Sequence, residues 1–341
     1  MTQMDPSQIM QLGMGFMGSR ALLSAVELEL FTRLAERDGM TAAEMREALS
    51  LDERAVPDFS DALVSLGMLD REGNGPEAVY RNTAETGFFL DKNQPSYIGG
   101  ILEMASARLY GFWGDLSEAL KTGAPQNEIK HTGEPMFAKL YEVPERLEQF
   151  MSAMAGVSAA NFKMFAEQFD FSRYGTLLDA GGATGQLSCM VAAANPNMTC
   201  TTLDLPQVQP IATRMIDKAG LSDRVTAVSG DFFADDFPKA DVVTMGMILH
   251  DWNLEKKKQL IAKAYDALPE GGAFVAIEAL IDDERRVNAF GLLMSLNMLI
   301  EFGDAFDYSG ADFDGWCKEA GFSRTEVMPL AGPSSAAIAY K

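Results

Sequence analysis

The sequence predicts an α/β protein in which a doubly wound, mostly parallel sheet follows a helical N-terminal domain of winged-helix pattern. Three observations carry that reading. An apolar strand ends on an acid and a glycine-rich turn, Leu177-Leu178-Asp179-Ala180-Gly181-Gly182-Ala183-Thr184-Gly185. Strands and helices alternate from Leu177 onward. The first 95 residues read as helix, helix, then hairpin.

Residues 8–36 carry Leu12, Phe16, Leu22, Leu23, Val26, Leu30 and Leu34, which predicts one helix. It is apolar around most of its circumference, the pattern of a helix buried against another chain. Thr41-Ala42-Ala43-Glu44 reads as a capping box opening a short helix. A further helix is expected near Ala55–Leu66, ended by Gly67. Leu69, Val79 and Tyr80 flank the turn Glu72-Gly73-Asn74-Gly75-Pro76, a hairpin signal. Residues 97–165 are expected to be helical. They are rich in rings and methionines (Tyr97, Met104, Tyr110, Phe112, Trp113, Met136, Phe137, Tyr141, Met151, Met154), some suited to lining a pocket for a small organic ligand. Strands follow at Leu177–Ala180, Cys200–Leu205, Val225–Ser229, Asp241–Met245 and Ala273–Ala279. Glu326–Met328 and Ala336–Tyr340 are expected to close the sheet as antiparallel strands. The domain division this predicts is 1–95, 96–165 and 166–341.

The chain of 341 residues is acidic, with a formal net charge of −21. That charge opposes nucleic acid and anionic membrane as partners. Residues 1–100 alone hold eight Lys/Arg against sixteen Asp/Glu, so the winged-helix pattern reads as a dimerisation module rather than a DNA-binding one. No run is long and apolar enough to span a bilayer, and no secretory pattern opens the chain, so a cytoplasmic location is expected. Three scattered cysteines (Cys189, Cys200, Cys317) read as reduced thiols, and two histidines (His131, His250) are too few to suggest a zinc site.

Asp204 ends the second strand, 25 residues after Asp179, a spacing that fits one strand–helix–strand unit with an acid placed for a ribose. The dinucleotide fingerprint fails, because Ala180 stands at its first glycine. Asp179 beside the turn would also repel a pyrophosphate. An ammonium-bearing cofactor without phosphate is favoured instead, which points to S-adenosylmethionine, leaving S-adenosylhomocysteine. Gly181 and Gly182 let the backbone approach it closely. Asp231, in Gly230-Asp231-Phe232-Phe233, is placed for the adenine amino group, with Phe232 and Phe233 for the purine face. Any one of these acids alone is a common turn or cap residue. Three at the ends of successive strands form a site.

The fourth strand runs into Met247-Ile248-Leu249-His250-Asp251-Trp252, placing His250 where ligands bind in such sheets. A neutral imidazole there can take a proton from a hydroxyl. Glu278, closing the fifth strand, is a candidate to orient the ring. Asp251 is either part of that machinery or the cap of the following helix.

These motifs together resemble the small-molecule O-methyltransferases, a group with plant phenolic, hydroxyindole and bacterial natural-product enzymes. The resemblance spans nearly the whole chain. It implies a Rossmann-like methyltransferase sheet and a homodimer through the N-terminal helices, one of which closes its partner's pocket. Asp179, Gly181, Gly182, Asp204, Leu205, Gly230, Asp231, Phe232, Phe233 and Met247 are the expected cofactor residues. His250 is the expected base, with Glu278 and Asp251 beside it. Two positions depart from the plant pattern. Gly246 stands where the plant enzymes have a lysine, and their second glutamate has no clear match, leaving Glu301, Asp304 and Asp307 as candidates. Ser295–Glu301, Asp307–Asp312 and Gly181–Leu187 are similar to a bacterial branch containing S-methyltransferases of 4-methylthio-2-hydroxybutyrate, on the route to dimethylsulfoniopropionate. A thioether needs no base, so in that chemistry His250 would orient the substrate. Arg108, Trp113, Tyr141, Met154 and Asn297 are the expected substrate residues, with Arg108 as cation for a hydroxy acid. The choice between O- and S-methylation stays open at this level.

Overall fold

The computed structural model describes residues 4–133 and 144–341. The chain divides into two compact units, residues 1–111 and 112–341.

In the first unit the expected single helix over 8–36 is two helices, Ser7–Glu27 and Leu30–Arg37. Glu29 between them is left-handed, with φ 56°. Such a conformation costs a non-glycine residue about 1–2 kcal/mol. The break turns Leu30, Phe31 and Leu34 into a core with Ala25, Val26, Met45 and Leu63, all buried, and that burial outweighs the strain. Glu29 is further held by Lys92 at 2.9 Å. Thr41 and Glu44 form the reciprocal capping box of the helix Ala42–Leu49. The helix Ala55–Ser65 follows. β2 (Leu69–Glu72) and β3 (Val79–Asn82) pair antiparallel, and β1 (Met40–Thr41) joins the far side of β3. On the helix Ser7–Glu27 the residues Ile9, Met10, Leu12, Met14, Phe16 and Met17 are exposed.

The described residues of the expected helical region 97–165 are helical, but in short pieces before residue 133, including a π-helical stretch Ala105–Leu109 and a 3₁₀ turn Trp113–Asp115. The helix Pro144–Gln168 restores regularity. Tyr141, Met136 and Phe137 lie outside the described residues.

The second unit is built on a seven-stranded sheet of order β6-β5-β4-β7-β8-β10-β9. Its strands are β4 (Thr176–Ala180), β5 (Thr199–Asp204), β6 (Val225–Ser229), β7 (Val242–Gly246), β8 (Ala273–Glu278), β9 (Arg324–Pro329) and β10 (Ser335–Tyr340). The first five pair in parallel, and β10 and β9 return antiparallel. All six residues of β8 are buried, as expected of a strand covered on both faces. One apolar layer packs around Leu260, Ile261, Ala264 and Phe313, and the other around Phe165, Phe169 and Phe171. Chain order reverses between β4 and β7, and the crevice beyond the carboxyl ends of strands at such a reversal is where ligands bind. Asp179, Asp204 and Glu278 all sit at those ends.

Candidate active site

The glycine turn is held by the neighbouring strand. Gly181 N–H donates to the Leu203 carbonyl at 2.8 Å, and Gly185 N–H donates to Gly182 at 2.8 Å. A methyl group on Gly182 would lie 2.1 Å from Thr202 Oγ1 and 2.6 Å from Asp179 Oδ2. On Gly181, whose φ is +76°, it would lie 2.4 Å from Ile248 Cδ1. The turn therefore requires glycine at both positions.

Asp179 is buried, 2% exposed, and its Oδ1 accepts from Thr244 Oγ1 at 2.9 Å. Burial pushes its carboxyl up to about 7, against the Thr244 hydrogen bond, with Asp204 adding repulsion. No cation offsets it among the described residues. A buried acid facing a glycine-lined turn without a counter-charge fits a ligand ammonium. Asp204 places Oδ2 on Ala183 N–H and Oδ1 on Leu205 N–H, both at 2.8 Å. Each oxygen keeps a lone pair for a ribose hydroxyl. Burial holds the Asp204 carboxyl up, opposed by those two donors. Leu205 packs with Ala183, Leu147, Phe150 and Met151, so the helix Pro144–Gln168 borders the turn.

Gly230 N–H donates to the Asp204 carbonyl at 2.9 Å. Asp231 is exposed and caps its own turn, accepting from Phe233 N–H at 2.8 Å. Phe232 and Phe233 meet edge to face, with centroids 4.9 Å apart. The ring of Phe232 faces Gly181, with Cε1 3.4 Å from the position of its missing methyl. Phe233 turns to Trp252 (centroids 4.7 Å apart) and Lys256. Gly246 is crossed by the ring of Phe162, 2.8 Å from where a Cβ would be. The donor set of buried acid, half-buried second acid, aromatic face and glycine cradle fits S-adenosylmethionine and leaves no basic site for a pyrophosphate.

The second half of the site follows β7. Met247 is left-handed at φ 57°, a strained geometry for a branchless side chain and a frequent mark of functional turns. Glu278 stabilises that turn by accepting the N–H groups of both Ile248 and His250 at 3.1 Å through Oε1. Glu278 therefore fixes the backbone of the histidine turn, and the ring has other neighbours. Asp307 Oδ1 lies 3.4 Å from Nδ1, and Asp251 Oδ1 lies 3.4 Å from Nε2. These are charge contacts, longer than well-formed hydrogen bonds, as is common before substrate binds. Of the three acids left open by the sequence, Asp304 instead accepts from Asn253 Nδ2 at 2.8 Å, and Glu301 is engaged by Asn127 Nδ2. Asp251 does not cap the next helix; Asn253 does, accepting from Lys256 N–H at 3.1 Å.

His250 is 4% exposed. Burial alone would lower the pKa of its imidazole, but Asp251, Asp307 and Glu278 overcome this and hold it up. In return, burial pushes the carboxyl of Asp251 up to about 6, against the pull of His250.

Trp113 Nε1 donates to Asn297 Oδ1 at 3.0 Å, joining two expected substrate residues. Asn297 lies on the helix Ala289–Phe302, which packs against the His250 turn. Met154 is half-buried on the helix Pro144–Gln168. Arg108 lies in the first unit, in the π-helical stretch. Tyr141 lies outside the described residues. Sequence reasoning missed Thr244, Tyr308 and Lys257. Lys257 falls three residues before Leu260 and four before Ile261, on the apolar face of its helix, which was a usable signal.

Residues 113–323 match the O-methyltransferase domain, and residues 10–92 match the O-methyltransferase dimerisation domain. The chain belongs to the O-methyltransferase family. Among the relatives of this O-methyltransferase is the tetracenomycin polyketide synthesis 8-O-methyl transferase TcmO of Streptomyces glaucescens, 38% identical over 98% of this chain and 97% of the relative. The N,N-dimethyltransferase OxyT of Streptomyces rimosus is 34% identical over 92% and 90%. Human N-acetylserotonin methyltransferase, solved in complex with S-adenosylmethionine, superposes with a TM-score of 0.91 at 27% identity, covering 100% of this chain and 99% of that one. No helix among the described residues is long and apolar enough to cross a membrane.

Proposed function

We propose that this O-methyltransferase transfers a methyl group from S-adenosylmethionine to a hydroxyl of a small aromatic molecule, with His250 as the proton acceptor. The observation that carries the reading is the buried His250 between Asp307 on Nδ1 and Asp251 on Nε2, on a turn pinned by Glu278. When bound, the cofactor supplies an electrophilic methyl carbon on a sulfonium. Asp179 takes the ammonium, Asp204 the ribose, and Phe232 with Asp231 the adenine. Trp113, Asn297 and Met154 line the acceptor pocket. His250 Nε2 receives the hydroxyl proton as the C–S bond breaks and the C–O bond forms, and the carboxylates stabilise the imidazolium that results. The kinship with an 8-O-methyl transferase of polyketide synthesis, and with a 3-hydroxy-5-methyl-1-naphthoate 3-O-methyltransferase of Streptomyces sahachiroi at 31% identity, supports a fused-ring phenol as acceptor. The exposed apolar residues of the helix Ser7–Glu27 support a homodimer, and the acidic helix–helix–hairpin unit serves that contact in this reading.

The rival chemistry is S-methylation of 4-methylthio-2-hydroxybutyrate. The two separate cleanly, because a thioether brings no proton to remove. Naphthols and the hydroxy-acid thioether are offered to the enzyme with labelled cofactor, products are identified by mass spectrometry, and kcat is followed against pH. The expected result is an O-methyl product, a single ascending limb, and loss of that limb with at least a hundredfold rate loss (roughly, for a general base) in His250→Ala. An S-methyl product with a flat profile that survives His250→Ala overturns the reading.

A further inference from the structure

Lys257 lies on the helix Leu254–Ala267 within the run Lys256-Lys257-Lys258. Lys256 is exposed, and Lys258 pairs with Glu319 at 2.6 Å. Lys257 by contrast has no exposed surface at all. Its ammonium donates to the Trp252 carbonyl and sits 3.9 Å from the centroid of the Phe306 ring and 5.8 Å from that of Tyr308. Among the described residues no carboxylate comes within 4 Å of it. A buried ammonium held by one carbonyl and two ring faces is costly, and it persists only in a field that favours positive charge.

That field comes from the transfer site. Asp251 precedes the helix, Glu278 ends β8, and Asp304 and Asp307 follow the helix Ala289–Phe302. All four act on Lys257, whose burial nevertheless pulls its pKa down to about 8. Asp251, Glu278 and Asp307 are also the carboxylates around His250. The remaining titratable neighbour is Tyr308, whose hydroxyl is kept protonated by burial and by Glu278. Two buried bases therefore share one set of buried acids. With three carboxylates and no second cation, His250 would retain its proton as their only partner.

We propose that Lys257 is a positioning residue of the transfer step, its buried ammonium offsetting Asp251, Glu278 and Asp307 so that His250 holds its proton less tightly than those carboxylates alone would make it. The same contact fixes Phe306, which adjoins Asp307 in the chain. This role rests on His250 acting as the base.

The test compares wild type, Lys257→Met and Lys257→Arg in the pH dependence of kcat, with KM for S-adenosylmethionine as control. Removing the cation is expected to move the ascending limb about one unit upward, so that the rate at neutral pH falls roughly tenfold and recovers at high pH. KM for the cofactor stays within about twofold, and Lys257→Arg returns the limb to within a few tenths of a unit. A limb that stays in place in Lys257→Met, or an Arg variant as impaired as the Met variant, overturns the proposal. A second measurement needs no change at Lys257. In protein labelled with ¹³C at lysine Cε, the Lys257 titration is read in wild type and His250→Asn. Coupling through shared acids requires it to rise when the histidine charge is removed. An unmoved Lys257 overturns the proposal even if Lys257→Met fails to fold. A shifted Lys257 in an enzyme whose wild-type profile has no limb keeps the coupling and sinks His250 as base.

Discussion

Asp179 is a carboxylate whose burial is unfavourable to the free protein and, in the proposed function, useful to the loaded one, and Asp179→Asn separates the two effects. In the folded chain its carboxyl is pushed up to about 7 from an ordinary 3.8, chiefly by burial. A raised folded value means that the folded state binds the proton more tightly than the unfolded state. The stability contributed by the protonated acid is thus full below pH 3.8 and is lost as pH rises through about 7. At ~1.4 kcal/mol per unit, burying Asp179 costs the unloaded protein about 4 kcal/mol at pH 8, where it is charged, and about 2 kcal/mol at pH 5, where it is kept protonated. Asparagine keeps an acceptor for Thr244 and cannot ionise. Whatever constant cost its amide adds, the variant should gain on wild type by about 2–3 kcal/mol between pH 5 and pH 8, or several degrees of melting temperature. With saturating S-adenosylmethionine the order reverses: the wild type gains a large thermal shift at pH 8, and the variant gains little. Thermal unfolding of both proteins at four pH values, with and without cofactor, reads all of this. Parallel wild-type and variant curves across that range would show that Asp179 is not a buried titrating acid. A full cofactor shift in the variant would show that it does not receive the ammonium.

Two further outcomes follow from single contacts. Glu278→Ala leaves the Ile248 and His250 N–H groups without their shared acceptor and should cost about 2–6 kcal/mol of stability, whereas Glu278→Gln retains a carbonyl oxygen and should cost much less; equal losses in urea titration would mean that the two backbone bonds contribute nothing. Leu12→Asp or Phe16→Asp, on the exposed apolar face of the helix Ser7–Glu27, should convert a dimer into a monomer in analytical ultracentrifugation, and a wild type that sediments as a monomer refutes that use of the face.

What could be read from the chain was local. The glycine turn, the acids at 179, 204 and 231 and the alternation of elements each depend on residues within a few positions of one another, so their physics is visible in order. The helix break at Glu29 was hidden because neither glycine nor proline marks it; the burial of Leu30 and Phe31 imposes it from outside. Asp307 could not be told from Glu301 or Asp304, since all three lie within seven residues and only the fold turns one towards Nδ1. Glu278 was expected at the ring and is found on the backbone behind it, a distinction that turns on Oε1 lying 3.1 Å from two amides. Lys257 stands between two other lysines, and only its spacing to Leu260 and Ile261 marks it as inward-facing.

The two halves of the site are coupled through β7. Its Thr244 stands in register with Asp179 on β4 and donates to that carboxylate, while Gly246 stands in register with Ile277, next to Glu278 on β8. One strand therefore touches the buried acid Asp179 and leads, within four residues, to the backbone that Glu278 pins. Met247 takes the left-handed conformation between them, and Ile248 returns from the turn to lie against Gly181. Any shift of the glycine turn would have a direct mechanical path through Ile248 to the peptide that carries His250. In the proposed function, that contact would let cofactor bound at the glycine turn settle the histidine turn before an acceptor hydroxyl reaches it.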